Sequence, residues 1–147
     1  MRLIDLEAYF VTYRDRIEPR EFAIGDHLTW KQRGYPTERR VVTVHYRHHV
    51  DSLAVAQGVE FLCPKCFVAL TDRLGKPRIP GPIGTHWCEV TFEGRGVKPE
   101  QGVHNKEGKP VRWNVSGTGL ADLTTTPSIL LQGGCNWHGY ITNGLVS

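Results

Sequence analysis

Two short motifs that lie far apart in the sequence constrain the fold of this chain most. Cys63-Pro-Lys-Cys66 carries two cysteines separated by two residues, and Cys135-Asn-Trp-His138 repeats that spacing with a histidine in the second position. Three thiolates and one imidazole form a closed tetrahedral ligand set for structural zinc. The sequence therefore predicts one structural zinc ion held by Cys63, Cys66, Cys135 and His138.

The long separation between the two motifs indicates what such an ion would do. The stretch from Cys66 to Cys135 is far longer than in a simple zinc finger, and closing a long loop removes much of the conformational entropy of the unfolded chain. A site with four protein ligands also has no open position at which to activate water. We therefore expect a zinc ion that joins distant parts of one fold, and we predict no catalytic residue and no organic cofactor.

The fourth cysteine, Cys88, leaves the ligand set open. It could replace His138 or Cys135, and His86 lies only two residues before it. On a strand, His86 and Cys88 share one face with Val90 and Phe92. These apolar neighbours favour a buried thiol at Cys88 over a metal ligand.

Length and composition favour a single globular domain. The chain has 147 residues, of which 39% are hydrophobic and 22% charged, and these fractions are typical of folded proteins. We predict an N-terminal extension, residues 1–50, packed on a zinc-stapled β domain, residues 51–147, so that both form one compact unit. Four cysteines, no apolar run of about 20 residues and no signal-like N-terminus predict a protein of the cytoplasm without membrane attachment.

Runs of β-branched and aromatic residues between Gly- and Pro-rich loops predict a mainly β (α+β) fold. We expect a small antiparallel β domain with one short helix at 52–56, between Asp51 and Gly58. Residues 4–13 fit either a helix or a strand, and Asn143-Gly144 indicates a tight turn. The predicted strands are 27–30, 41–46, 59–62, 86–92, 113–115, 128–131 and 139–141.

The charge of the chain gives little support to nucleic-acid binding. The formal net charge is +3, and the densest basic cluster contains Lys31, Arg33, Arg39 and Arg40. Gly34, Pro36 and Glu38 interrupt this cluster, whereas nucleic-acid binders concentrate their basic residues on one face. We interpret the cluster as a solvated loop.

Three histidines, His45, His48 and His49, form a second constellation. On a strand, His45 and His49 share a face, and we predict that they line an exposed surface or a contact between copies of the chain. The alternative is a second metal site built with Asp51 or Glu60, as a metal-dependent hydrolase or nuclease would require.

A nucleophilic site is a further alternative, with Ser128 as nucleophile, His138 as base and Asp122 as the group that orients the base. The sequence disfavours it, because no strained G-x-S-x-G turn surrounds Ser128 and because a zinc-bound His138 cannot act as a base.

Several segments resemble a family of uncharacterised small proteins encoded by bacteria and phages, the domain of unknown function 6527. The resemblance covers about residues 51 to 144. It rests on Leu123-Thr-Thr-Thr-Pro-Ser-Ile129, Gly134-Cys-Asn-Trp-His-Gly-Tyr-Ile-Thr-Asn-Gly144, Phe61-Leu-Cys-Pro-Lys-Cys66, Gly84-Thr-His86, Cys88 and Gly94-Arg-Gly96.

This resemblance implies that Cys63, Cys66, Cys135 and His138 form the metal set and that the chain has a phage or prophage origin. It implies no reaction mechanism. Together with the closed ligand set, it leads us to expect a non-enzymatic binding or structural module, either a virion accessory protein or one that contacts a host protein. The expected partners are proteins or other virion subunits, with homo-oligomers included, and neither nucleic acid nor a membrane is expected.

Overall fold

The computed structural model describes residues 1–24, 37–79, 84–132 and 135–147. The predicted strand at 27–30 and the cations Lys31 and Arg33 lie outside the described residues. The chain forms two compact units, the first made of Met1–Tyr13 with Arg47–Ser147 and the second of Arg14–Tyr46. The boundaries between these units lie inside two long strands, after Tyr13 and after Tyr46, whereas the boundary predicted from the sequence lies after residue 50.

Within the described residues the fold is mainly β, as the sequence predicts, and the strands form two antiparallel sheets. One sheet has the order β2-β1-β3-β4 and the other has the order β5-β6-β7-β8. A 3₁₀ helix, Leu3–Leu6, and an α-helix, α1 (Pro64–Leu70), accompany them. The strands are β1 (Tyr9–Ala23), β2 (Thr37–Val50), β3 (Gly58–Leu62), β4 (Trp87–Thr91), β5 (Asn114–Ser116), β6 (Thr124–Leu130), β7 (His138–Thr142) and β8 (Leu145–Val146).

The buried strand of the first sheet is β3, in which all five residues are buried. It pairs with β1 on one side and β4 on the other, with Val59 opposite Val90 and Phe61 opposite Cys88. Alternate residues of a strand point to opposite faces, so these four side chains share the face that forms the core. The predicted face of β4 that carries Cys88 and Val90 is therefore confirmed as buried.

The second sheet ends in a tight hairpin between β7 and β8. Thr142 pairs with Leu145, so that the loop contains only Asn143 and Gly144, and these have φ angles of 49° and 73°. Two positive φ angles are the requirement of a type I′ turn, which Asn-Gly satisfies best. The predicted turn at Asn143-Gly144 is confirmed.

Aromatic side chains join the two sheets in one hydrophobic core. The rings of Phe61 and Trp137 meet edge to face, with centroids 6.0 Å apart and an interplanar angle of 87°. Phe92 forms a bridge with Trp113, which brings β4 next to the segment that precedes β5. Burying each such side chain contributes about 1.5–3 kcal/mol.

The helix lies in a different place from the predicted one. Residues 52–56 form turns in which the N–H of Ala56 donates to the carbonyl of Leu53, while α1 begins directly after Cys63. A segment of five residues is too short to form a stable α-helix without a supporting cap. Pro64, whose ring fixes a helical φ at the first position, supports α1 instead. Residues 4–13, which fit either element, divide into the 3₁₀ helix and the start of β1.

The second unit, Arg14–Tyr46, contains the middle of β1 and most of β2. The Nδ1 atom of His45 lies 2.6 Å from Oδ1 of Asp15. Arg40 contacts Glu38 and lies 4.7 Å from the ring centre of Phe22. Of the two described cations of the basic cluster, Arg40 is therefore already engaged in contacts within the unit. No helix in the described part of the chain has the length and apolar character needed to cross a bilayer.

Candidate metal centre

Four side chains of the first unit converge on one point. The donor atoms of Cys63, Cys66, His86 and Cys135 all lie within 4.8 Å of one another, and this group could hold a metal ion. It contains the three cysteines of the predicted set. All four cysteines of the chain are free thiols.

The first two cysteines owe their positions to the junction between β3 and α1. Cys63 directly follows the last residue of β3 and forms the N-cap of α1, and Cys66 lies in the first turn of the helix. The N–H of Cys63 donates to the carbonyl oxygen of His86 over 2.9 Å, so the residue before β4 lies beside the start of the helix. The N–H of Phe67 donates to the carbonyl of Cys63 over 2.8 Å and closes the first helical turn.

Cys135 comes from the other sheet, in the connection between β6 and β7. Asn136 follows it with a φ of 51°, a conformation that asparagine tolerates better than most residues. Trp137 is then buried against Phe61, which fixes the connection on the core. From the helix side, the ammonium of Lys65 donates to the carbonyl oxygen of Cys135 over 2.9 Å.

Three of the distances within the group lie within about 0.4 Å of those expected around zinc. Zn–S bonds of about 2.3 Å and Zn–N bonds of about 2.0 Å in tetrahedral geometry separate two sulfurs by about 3.8 Å and a sulfur from a nitrogen by about 3.6 Å. The sulfurs of Cys63 and Cys135 lie 3.4 Å apart. The Nε2 atom of His86 lies 3.2 Å from the sulfur of Cys135 and 4.0 Å from that of Cys66.

The thiols also alter one another's ionisation. Burial, followed by hydrogen bonding with Cys135, raises the pKa of Cys66 to about 11. Burial opposes ionisation at Cys135 too, but hydrogen bonds with the thiol of Cys63 and from the N–H of Trp137 outweigh it and lower the pKa of Cys135. Three adjacent thiolates repel one another, and a divalent cation is the partner that stabilises all three together.

The predicted fourth ligand, His138, does not join the group, and His86 takes its place. The described structure thus brings His86, and not the predicted His138, together with the three cysteines. Trp137 and Gly139 are buried, so the alternation of β7 turns His138 to the opposite, exposed face. There its Nε2 atom lies 2.9 Å from Oγ of Ser128.

Cys88 lies against the group without belonging to it. It is buried, as its apolar strand neighbours predict. Burial, together with the charge of Cys63 and a hydrogen bond to it, raises the pKa of Cys88. A thiol that keeps its proton can donate a hydrogen bond to a neighbouring thiolate, so Cys88 is placed to support Cys63 from behind the metal ligands.

The sequence contained a signal for His86 that spacing alone did not reveal. Its position directly before β4 and two residues before Cys88 extends the face of β4 that carries the buried residues. The matching spacing of the two short motifs favoured His138 instead. Strand alternation therefore decides between the two histidines, because only the inner face points toward the cysteines.

The other predicted constellations do not form metal sites among the described residues. None of His45, His48, His49, Asp51 and Glu60 belongs to a group of three potential ligands. The ring of His49 stacks on Tyr9 with centroids 3.7 Å apart. Glu60 is buried and lies 2.5 Å from the guanidinium of Arg47.

One of the two contacts that the alternative nucleophilic site requires, the one between Ser128 and His138, is present in the structure. Ser128 and His138 are hydrogen-bonded, but the carboxylate of Asp122 accepts hydrogen bonds from Thr118 and Gly119. No hydrogen bond between Asp122 and His138 occurs in the described structure, so the imidazole lacks the orienting carboxylate that a triad requires.

Comparison of the chain with protein-family models, with curated proteins and with solved structures gives no match. The resemblance of residues 51 to 144 to the domain of unknown function 6527 therefore stays a prediction.

Proposed function

We propose that this chain is a non-enzymatic binding or structural module whose fold is completed by one zinc ion at Cys63, Cys66, His86 and Cys135. The convergence of these four donors within 4.8 Å carries the proposal. Three sulfurs and one imidazole nitrogen favour zinc over magnesium or calcium, which prefer oxygen ligands.

The position of the site suits a structural ion. Three of the ligands belong to the β3–α1 junction and the start of β4, and the fourth belongs to the β6–β7 connection of the other sheet. A bound ion would link the two sheets at a point where contacts of Lys65 and Trp137 also hold the connection. Structural zinc in small peptides is worth on the order of 10–16 kcal/mol of apparent binding energy, so even part of it would dominate local stability.

The closed ligand set also argues against hydrolysis at this ion. Catalytic zinc sites use three protein ligands and keep one position for water, whereas four protein ligands converge here. The proposed role is accordingly to hold a surface in shape for a protein partner, such as a virion subunit, a host protein or a second copy of this chain. The phage or prophage origin is supported only by the sequence resemblance.

Metal content of the purified protein tests the proposal. We expect one zinc per chain in the wild type, and we expect its loss in Cys135→Ser and His86→Gln. The matched controls, Cys88→Ser and His138→Gln, should keep it, because neither residue belongs to the group. Zinc that depends on His138 instead of His86 would contradict the ligand set, and a zinc-free, folded wild type would contradict the proposal as a whole.

Cobalt substitution distinguishes the proposal from the alternative of a metal-dependent hydrolase or nuclease. One cobalt ion with the absorption of tetrahedral thiolate coordination supports the structural role. A second ion bound through oxygen and nitrogen would favour the hydrolase instead.

A further inference from the structure

We infer that a groove beside α1 binds an acidic peptide segment of a partner protein, one that also carries a large apolar side chain. This inference rests on the proposed binding function and specifies the chemistry of its partner. The groove, here named the α1 groove, has a cavity volume of about 590 Å³. Its lining includes Met1, Phe67, Val68, Arg73, Leu74 and Arg78.

One part of the α1 groove is apolar and exposed. Val68 is 58% exposed on the surface of α1, and Leu74 is 80% exposed in the turn that follows the helix. Phe67, which is packed against the core, also lines the cavity. Covering exposed aliphatic side chains stabilises a complex by about 25 cal/mol for each Å² removed from water. An apolar side chain of a partner would therefore find a favourable position here.

The groove is also lined by two arginines, Arg73 and Arg78. Within the described part of the chain, neither Arg73 nor Arg78 has a side-chain hydrogen bond or an ion pair. The two acids that also line the groove are already engaged. Asp5 is paired with Arg2 over 2.8 Å, and Asp72 accepts two backbone N–H groups of its own turn. The arginines are thus the groups left for a ligand, and a ligand with carboxylates complements them.

The shape of the groove favours a peptide over a membrane or a nucleic acid. A cavity of this volume accommodates one or two side chains, whereas a flat bilayer surface would leave it unfilled. A phosphate backbone would pair with Arg73 and Arg78 but would leave Val68 and Leu74 exposed to water. An acidic segment with an apolar side chain complements both the arginines and the apolar residues of the lining.

The groove is also part of the region that the metal centre organises. Phe67 and Val68 follow Cys66 directly in α1, and the turn that carries Arg73 and Leu74 leaves the C-terminal end of the same helix. The proposed ion would therefore fix the helix that forms one wall of the groove.

Fluorescence anisotropy with three labelled peptides of roughly twelve residues tests the inference. The first combines glutamates with two leucines. In the second, lysines replace the glutamates, and in the third, serines replace the leucines. The protein variants are Arg73→Gln with Arg78→Gln, and Leu74→Ser. The control, Lys106→Gln with Lys109→Gln, removes two exposed cations from another turn. The zinc content is measured for every sample.

We expect the wild type and the lysine control to bind the first peptide in preference to the other two. The double arginine variant should bind it about tenfold more weakly, and Leu74→Ser should weaken it as well. Equal binding by the wild type and the arginine variant would overturn the inference. Preference for the lysine peptide, for anionic vesicles or for single-stranded DNA would also overturn it.

The zinc measurement distinguishes a failure of the peptide-binding inference from a failure of the proposed function. If the wild type contains zinc but does not distinguish the three peptides, the α1 groove is not the binding surface and the zinc-stabilised module still stands. If a folded wild type contains no zinc, the proposed function fails whatever the peptides show.

Discussion

The N–H of Cys63 donates to the carbonyl oxygen of His86 over 2.9 Å, and the side chains of these two residues belong to the same candidate metal centre. The backbone contact continues the pairing of β3 with β4 by one step beyond the strands. One ligand next to the end of β3 and one next to the start of β4 are thereby positioned before any ion binds. Of the four ligands, Cys135 alone comes from the other sheet. We therefore expect metal binding to depend strongly on how the connection between β6 and β7 is placed.

Removal of the metal should lower thermal stability strongly. We expect a chelator with high zinc affinity to lower the Tm of the wild type by more than about 10 °C, because several kcal/mol are lost and each is worth roughly 2–4 °C in a domain of this size. Differential scanning calorimetry with and without chelator measures this. The Cys135→Ser variant should start at the lower Tm and should not respond to chelator, whereas a chelator effect of equal size in that variant would contradict the assignment.

Local sequence patterns were enough to predict the three cysteines of the centre. The spacing in Cys63-Pro-Lys-Cys66 brings two sulfurs to one point whatever the rest of the chain does, and Cys135 was the natural distant partner. Most of the strands and the turn at Asn143-Gly144 could also be predicted, because the alternation of side chains along a strand and the residue preferences of a tight turn depend on only a few neighbouring residues.

The remaining features depend on contacts between distant parts of the chain. His86 becomes a ligand because β4 pairs with β3 in a register that turns its inner face toward Cys63. His138 is excluded because Trp137 must be buried against Phe61. Neither register nor burial of a particular aromatic follows from spacing, so the fourth ligand required the structure.

Replacing Gly144, in the turn between β7 and β8, should destabilise the protein more than its positive φ angle alone would explain. A Cβ atom at Gly144 would lie 2.1 Å from the carbonyl oxygen of Ala121, whereas one at Gly108 would meet nothing within 4 Å. Both residues have positive φ angles, 73° and 77°. We expect Gly108→Ala to cost about 1 kcal/mol and Gly144→Ala to cost at least about 3 kcal/mol in urea unfolding. Equal costs would show that the contact with Ala121 is relieved by a small shift.

Asp122 should show an acid-dependent contribution to stability. Hydrogen bonds from the backbone N–H groups of Thr118 and Gly119, and then from the hydroxyl of Thr118, lower the pKa of its carboxyl below the usual 3.8. A lowered pKa in the folded state means that the contribution is present above the unfolded pKa and is lost as the pH falls through the folded pKa. Carbon-13 NMR titration of the carboxyl should give a midpoint below 3.8 that moves upward in Thr118→Val. A midpoint that stays unchanged in this variant would contradict the contribution of the hydroxyl.

The ion pair of Arg47 and Glu60 should behave as a buried charge pair. Glu60 is only 4% exposed, and the guanidinium of Arg47 lies 2.5 Å from its Oε1 atom and 2.8 Å from Oε2 of Glu89. Replacing the arginine leaves a buried carboxylate without its countercharge, a change that typically costs 3–5 kcal/mol. Because Arg47 is half exposed, we expect a smaller loss of about 2 kcal/mol for Arg47→Met in urea unfolding at neutral pH.

A second substitution separates lost charge from lost packing in this pair. In Arg47→Met with Glu60→Gln, the buried group is neutral, so most of the stability should return if the uncompensated carboxylate causes the loss. Arg20→Met, which removes an exposed ion pair with Glu18, should leave the unfolding midpoint nearly unchanged. If Glu60→Gln restores nothing, the alkyl stem of Arg47 stabilises the sheet by packing on it, and the charge pair is not what stabilises this face.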